Sequence, residues 1–233
     1  MTEASHVLGN AGIAAVLLLW TSPIYDLFLS RSSVLRLRST KQLATGFNYI
    51  ASLFSCLLWV MYTCNRTDML MESFFVNVLG LGVNAIMVAC YWYFAQTQQR
   101  FDANVQLGFL SAAALAVGLL WLYLRDNAFV GYVAIVLNLL MYFGPFFAVK
   151  EVCKTKSTSS MPLAPVVMTL ITSAIWTAYG VEVANLPILI PNVGGIGFGV
   201  TMLLVWLYVH CCHRPLTSLH DNDDDNDDGI EIV

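Results

Sequence analysis

The chain has 233 residues, 58% of them hydrophobic and only 11% charged, with a mean hydropathy of +0.69. Soluble domains carry about a quarter charged residues, so this composition excludes a soluble enzyme and gives no basis for a nucleic-acid partner. It implies a multi-span membrane protein. The formal net charge of −4 comes from the C-terminal tail, where six aspartates lie between Asp221 and Asp228 and Glu231 follows, so it carries no information about a substrate.

Apolar windows mark seven spans, at 7–29, 43–63, 69–95, 104–124, 129–149, 161–181 and 186–209, and the loops between them are too short for an extramembrane domain. Span one lacks a basic n-region and is too long for a signal-peptide core, so it reads as a retained span, with Pro23 late in it. Span two ends on Trp59-Val60-Met61-Tyr62 and span three carries Asn77-Val78-Leu79-Gly80. Span four has no counterpart. Span five repeats the late proline as Pro145, and span six holds Pro162 and Trp176-Thr177-Ala178-Tyr179. Span seven carries Pro191-Asn192-Val193-Gly194-Gly195, a turn-like string set inside an apolar run.

These matches form an internal repeat. The two Trp-x-x-Tyr motifs are offset by 117 residues, whereas Asn77, Gly80, Gly82 and Met87 match Asn192, Gly195, Gly197 and Met202 at an offset of 115. A basic loop with Ser-Thr, first Ser39-Thr40 and then Ser157-Thr158, precedes each Trp-x-x-Tyr. Three spans per repeat is an odd number, so span four is needed to make the two copies parallel. The expected fold is an all-α, multi-span protein of seven transmembrane helices, two parallel three-helix repeats plus a linker helix, in a 3+1+3 plan. Its divisions are an N-terminus at 1–6, a first repeat at 7–95, a linker helix at 96–128, a second repeat at 129–209 and an acidic tail at 210–233.

Lysine and arginine set the orientation. Arg31, Arg36, Arg38, Lys41, Arg100, Lys150, Lys154, Lys156 and Arg214 fall on one side and Arg66 and Arg125 on the other. The positive-inside rule then puts the N-terminus outside, or in a lumen, and the acidic tail in the cytosol.

A carboxamide inside a membrane helix needs a partner and marks a candidate functional site. Some such amides only tie helices together, at ~0.6 kcal/mol each, but Asn77 and Asn192 stand at equivalent positions in both repeats. Asn84, whose equivalent is Gly199, is expected to be structural. Amides donate and accept, which suits sugar hydroxyls in either role, and the indoles of Trp59 and Trp176 offer apolar faces to a pyranose. Asp26 and Glu72 lie near span ends, where neither suits an obligate proton relay, so facilitated diffusion is the expected mode. Gly80, Gly82, Gly195 and Gly197 are expected at close helix contacts, and Pro23, Pro145, Pro162 and Pro191 as hinges. Trp20, Trp92, Trp121 and Trp206 are assigned to interfaces or packing.

At Lys154-Thr155-Lys156-Ser157-Thr158, Met161-Pro162, Ser173 to Gly180 and Pro191-Asn192-Val193 the chain resembles the SWEET (MtN3/saliva) sugar transporters, from residue 7 to 209. The resemblance implies a seven-span uniporter working by alternating access on a mono- or disaccharide, in a bilayer and by default as a homo-oligomer. In parallel-repeat carriers, of which the SWEETs are themselves an example, equivalent residues face one another near the membrane midplane. By the same resemblance, Asn77 and Asn192 are sugar-binding amides and Trp59 and Trp176 stacking residues. Ser55 and Thr172 shape the pocket, and Leu19 and Met141 tune substrate size, their bulk favouring a hexose. The plasma membrane is the expected location, with the Golgi or another internal membrane as the alternative. One departure concerns span two, which has no proline between Lys41 and Trp59, with Asn48 near the expected place.

Two rival readings are a seven-span receptor, which would want longer loops, and an amino-acid carrier with Pro-Gln pairs, where this chain has Pro23-Ile24 and Pro145-Phe146. An enzyme is not expected. Six cysteines show neither zinc nor disulfide spacing, and no cofactor is called for. His210-Cys211-Cys212-His213 is too contiguous for a metal site, although its cysteines suit palmitoylation. The sequon Asn65-Arg66-Thr67 lies close to the membrane and is expected empty. Asp224 to Gly229 copies the opening of a calcium loop without its closing glutamate, so the tail reads as disordered.

Overall fold

A computed structural model describes residues 2–29, 46–64, 70–141, 149–150, 152–156, 158, 161 and 163–212. Lipid offers no partner to backbone N–H and C=O groups, so spanning segments must satisfy them internally, as a helix does. The long elements are accordingly α1 (Glu3–Leu29), α2 (Gly46–Cys64), α3 (Met71–Phe94), α4 (Thr97–Leu124), α5 (Asn127–Met141), α6 (Leu163–Glu182) and α7 (Leu186–Cys212). Six of them are long and apolar enough to cross a membrane, and α5 is a shorter apolar helix over its described residues. Each falls in one of the seven expected spans, in the expected order.

The ends follow local chemistry. α4 begins at Thr97, before the apolar window, because Gln96 and Gln99 form a reciprocal capping box across its first turn. Arg100 then reaches back to the carbonyls of Trp92 and Tyr93, at 3.0 and 2.7 Å, and closes the C-terminus of α3. α4 ends at Arg125, whose φ of 56° is left-handed, with its N–H on the Trp121 carbonyl. α7 continues past Val209 to Cys212, so His210, Cys211 and Cys212 belong to the helix rather than the tail, and His210 stacks on Trp206.

The packing keeps the repeat. α2 packs along α3, and α6 along α7, as the broad contacts within each repeat. Between repeats, α1 lies on α6 and α2 lies on α5, which is the same contact taken from either side of a two-fold axis. α4 sits beside α2 and exposes Phe109, Leu115, Leu119 and Tyr123 on its outer face.

The repeats lock together at the end that carries the start of α1. Trp59 meets Tyr62 edge-on with ring centroids 5.8 Å apart, and Trp176 meets Tyr179 in the same way at 5.2 Å. Gly9 and Gly131 are equivalent positions that let α1 and α5 come in against these tyrosines. A Cβ on Gly9 would lie 3.1 Å from Tyr179, and one on Gly131 would lie 2.9 Å from Tyr62. The polar links then differ between the halves. Asn185 Nδ2 donates to Tyr62 Oη at 2.9 Å, while its Oδ1 accepts the Ile188 N–H at 3.0 Å and caps α7. Tyr179 Oη donates to Glu72 Oε2 at 3.1 Å, and His6 Nδ1 is paired with Glu72 Oε1 at 2.5 Å. Glu72 does lie at a span end, as expected, but it is only 6% exposed.

Two of the four expected glycine contacts are corrected. Gly80 abuts Cys56 and Trp20, and Gly195 is buried, whereas a Cβ on Gly82 or Gly197 would meet nothing within 4 Å. The sequence pattern repeats both pairs, yet the second of each faces open space. Among the prolines, Pro191 is fully buried within α7 and Pro23 lies within α1, while Pro145 and Pro162 fall outside the described residues.

These contacts make a differential prediction. A Cβ on Gly180 would lie 3.0 Å from the backbone nitrogen of Leu189, in the tight α6–α7 pairing, so Gly180→Leu should destabilise the protein by about 1–3 kcal/mol. Gly82→Leu, placed in open space, should be neutral or slightly stabilising, since leucine is the better helix former by roughly half to one kcal/mol. Thermal unfolding of the two variants in detergent checks this, and equal losses would contradict the packing.

Candidate substrate-binding site

A cavity of about 300 Å³ lies between the two repeats. Every residue singled out for substrate contact in the sequence lines it: Asn77, Asn192, Trp59, Trp176, Ser55, Thr172, Leu19 and Met141. They come from six helices, α1, α2, α3, α5, α6 and α7, so the site exists only where the repeats meet.

The backbone explains how the two amides are held. Asn77 Nδ2 donates to the Ser73 carbonyl at 2.7 Å, and Asn192 Nδ2 donates to the Ile188 carbonyl, also at 2.7 Å. Each bond runs back one helical turn on the same helix, and the two are related by the repeat. An amide has two N–H donors and a carbonyl acceptor, so one donor fixes each rotamer and the rest faces the cavity. At Asn192 the helix is already modified by Pro191, which cannot donate to the carbonyl one turn back. Asn84 makes the same kind of bond, to the Gly80 carbonyl at 2.8 Å, but it is buried away from the cavity. That fits its structural assignment.

The two tryptophans are each 6% exposed and share one apolar cluster with Leu58, Tyr62, Tyr179 and Ile188. α1 makes room for the second indole through Gly12, where a Cβ would come 2.8 Å from Trp176 Cε2. The equivalent place on α5 is Ala134, fully buried in the same cluster.

Several cavity residues escape the sequence reading. Trp20, assigned there to an interface or to packing, lines the cavity. Ser52 and Thr169, and Cys56 and Ser173, are further lining pairs at the offset of 117, a signal already present in the repeat. Asn138 also lines the cavity and accepts a 2.5 Å hydrogen bond from the Ser55 hydroxyl. Its repeat equivalent is Val16, so the repeat does not mark it. Trp92 and Trp121, in the last turns of α3 and α4, instead bond Asn104 and Asn127, in keeping with their assignment. Among the described residues no group of three or more His, Cys, Asp or Glu could hold a metal ion. The sequon and the acidic tail lie outside the described residues.

Comparison with known proteins fits this geometry. A family model described as a sugar efflux transporter for intercellular exchange matches residues 6–99 and 128–215, which are the two repeats without the linker helix. The bidirectional sugar transporter SWEET3 of Arabidopsis thaliana is 27% identical, over 97% of this chain and 89% of its own length. The rice bidirectional sugar transporter SWEET3b (Oryza sativa subsp. japonica) is 30% identical, over 99% of this chain and 90% of its own length. A eukaryotic SWEET transporter solved at 3.7 Å shares the fold, with a TM-score of 0.76 at 22% identity, over 89% of this chain and 97% of that one. With both repeats matched by the family model, this chain belongs to the MtN3/saliva family of sugar efflux transporters.

Proposed function

We propose that the chain is a sugar uniporter that works by alternating access and carries its substrate in either direction down a concentration gradient. The observation that carries this reading is the convergence of all eight candidate residues on one cavity between the repeats. Two amides and two indoles at equivalent positions give a pyranose hydroxyl partners and apolar faces. The relatives named as bidirectional sugar transporters support the same reading. A volume of about 300 Å³ is at the small end of ligand cavities, which run from about 300 to 1,000 Å³. With Leu19 and Met141 in its wall, a hexose is the favoured substrate.

Links between the repeats at one end support alternating access. Tyr62–Asn185 and Tyr179–Glu72–His6 hold the repeats together at the start of α1, and opening there requires these links to part. Pro191 and Pro23, with Pro145 and Pro162, are the proposed hinges. The charge bias supports an N-terminus outside and a C-terminus in the cytosol, with the plasma membrane as the proposed site of action and a homo-oligomer as the working form. The chain does no covalent chemistry in this scheme.

In vesicles containing the full chain, Asn192→Ala should lower glucose flux at least about tenfold without loss of folded protein. Unchanged flux in that variant would remove the amide from the pocket. An imposed pH gradient should leave wild-type counterflow unaltered, and a proton-driven gain would replace the uniporter with a coupled carrier.

The proposed closure is tested through Cys56, a residue of the cavity wall, in a protein whose other five cysteines are serine. A small impermeant thiol reagent added on the N-terminal side should label it several-fold faster in Tyr179→Phe, where the link to Glu72 is lost. Equal labelling rates would show that this link does not close the cavity.

A further inference from the structure

The two-fold frame of the site has a consequence for its substrate. Asn77 with Asn192, Trp59 with Trp176 and Leu19 with Met141 are related by the repeat, so a sugar and its copy turned half-way about that axis would meet similar partners. Ser55 and Thr172 are equivalent too, but their surroundings are not. Ser55 donates its hydroxyl proton to Asn138 Oδ1 at 2.5 Å. The residue at the position equivalent to Asn138 is Val16, whose side chain has no polar atom. Among the described residues, Thr172 Oγ1 is buried without a hydrogen-bond partner, and the residue, only 9% exposed, lines the cavity. Buried hydroxyls normally have partners, and leaving one unmade is unfavourable.

From this broken symmetry we infer that Asn138 and Thr172 set the direction in which the sugar lies across the two-fold axis. Asn138 Oδ1 is engaged by Ser55, so the amide turns its N–H donors to the substrate and offers them to a sugar oxygen. Thr172 Oγ1 supplies the opposite side with a hydroxyl that can both donate and accept, and a sugar hydroxyl is the partner it lacks. A sugar in one direction satisfies both groups. Turned half-way round, it satisfies neither in the same way. Asn138 is thus a specificity-determining residue with no repeat counterpart, and the substrate class it serves is a polyhydroxylated ring with distinguishable edges. This inference rests on the sugar-carrier reading and adds a direction to it.

Counterflow in proteoliposomes, with glucose and each of its monodeoxy analogues, tests this as a set of double-mutant cycles. In the wild type, removal of the hydroxyl that meets Thr172 should raise KM about 3- to 10-fold, the range for a neutral hydrogen bond. That penalty should vanish in Thr172→Val, at one ring position only. Asn138→Val should erase a similar penalty at a different position. The double variant Val16→Asn/Asn138→Val moves the amide to the other repeat, pairs Thr172 and frees Ser55, and so should restore the wild-type pattern of penalties.

The inference is overturned if Asn138→Val and Thr172→Val raise KM equally for every sugar, as a structural role would. It is also overturned if each erased penalty spreads evenly over two ring positions, or if the double variant keeps the pattern of Asn138→Val. Should Asn138→Val fail to fold, the near-isosteric Thr172→Val and the double variant still separate these outcomes. Wild-type vesicles without sugar flux would bring down the carrier reading and this inference together. Flux with unchanged penalties removes the inference alone.

Discussion

A polar group taken into hydrocarbon is costly without a partner, and that constraint sorts the polar side chains around the cavity. Asn84 answers it within its own helix and has no further part in the site. Asn77 and Asn192 answer it halfway, with one donor on the preceding turn and the rest of the amide at the cavity. Glu72, a carboxylate 6% exposed, is held by a tyrosine and a histidine from two other helices. Thr172, on the cavity wall, has no partner for its hydroxyl among the described residues. The ordering follows from where each hydrogen-bonding group finds its partner.

The second organising element is the parallel repeat and its departures from symmetry. Apolar and aromatic contacts keep the two-fold closely: Trp59 on Tyr62 matches Trp176 on Tyr179, and Gly9 matches Gly131. Polar contacts do not. Tyr62 is tied to a capping asparagine and Tyr179 to a carboxylate shared with histidine, while Ser55 has an amide partner that Thr172 lacks. Shape is what the two halves share. Hydrogen bonds are the places where the halves diverge.

Much of this is legible in the chain itself. The apolar runs locate seven helices because lipid leaves the backbone no other solution, and the two repeats place the Trp and Asn pairs because equivalent positions must face a common axis. What repetition cannot reveal is anything that occurs once. Asn138 is hidden because Val16 breaks its match, and Trp20 because an indole late in a span has an ordinary role at the membrane interface. The glycines show the reverse error: Gly82 and Gly197 repeat faithfully yet face open space, since a shared position on two helices does not say which face is packed. The extension of α4 to Thr97 depends on the reciprocal Gln96–Gln99 bonds, which apolar windows do not detect.

The central claim is that the cavity between the repeats is where the sugar sits. A structure of the protein determined with saturating glucose tests it most directly. The expected result is one hexose bounded by Trp59 and Trp176, with its hydroxyls on the carboxamides of Asn77 and Asn192 and on Thr172 Oγ1. Glucose bound elsewhere on the protein, with this cavity empty, would contradict it.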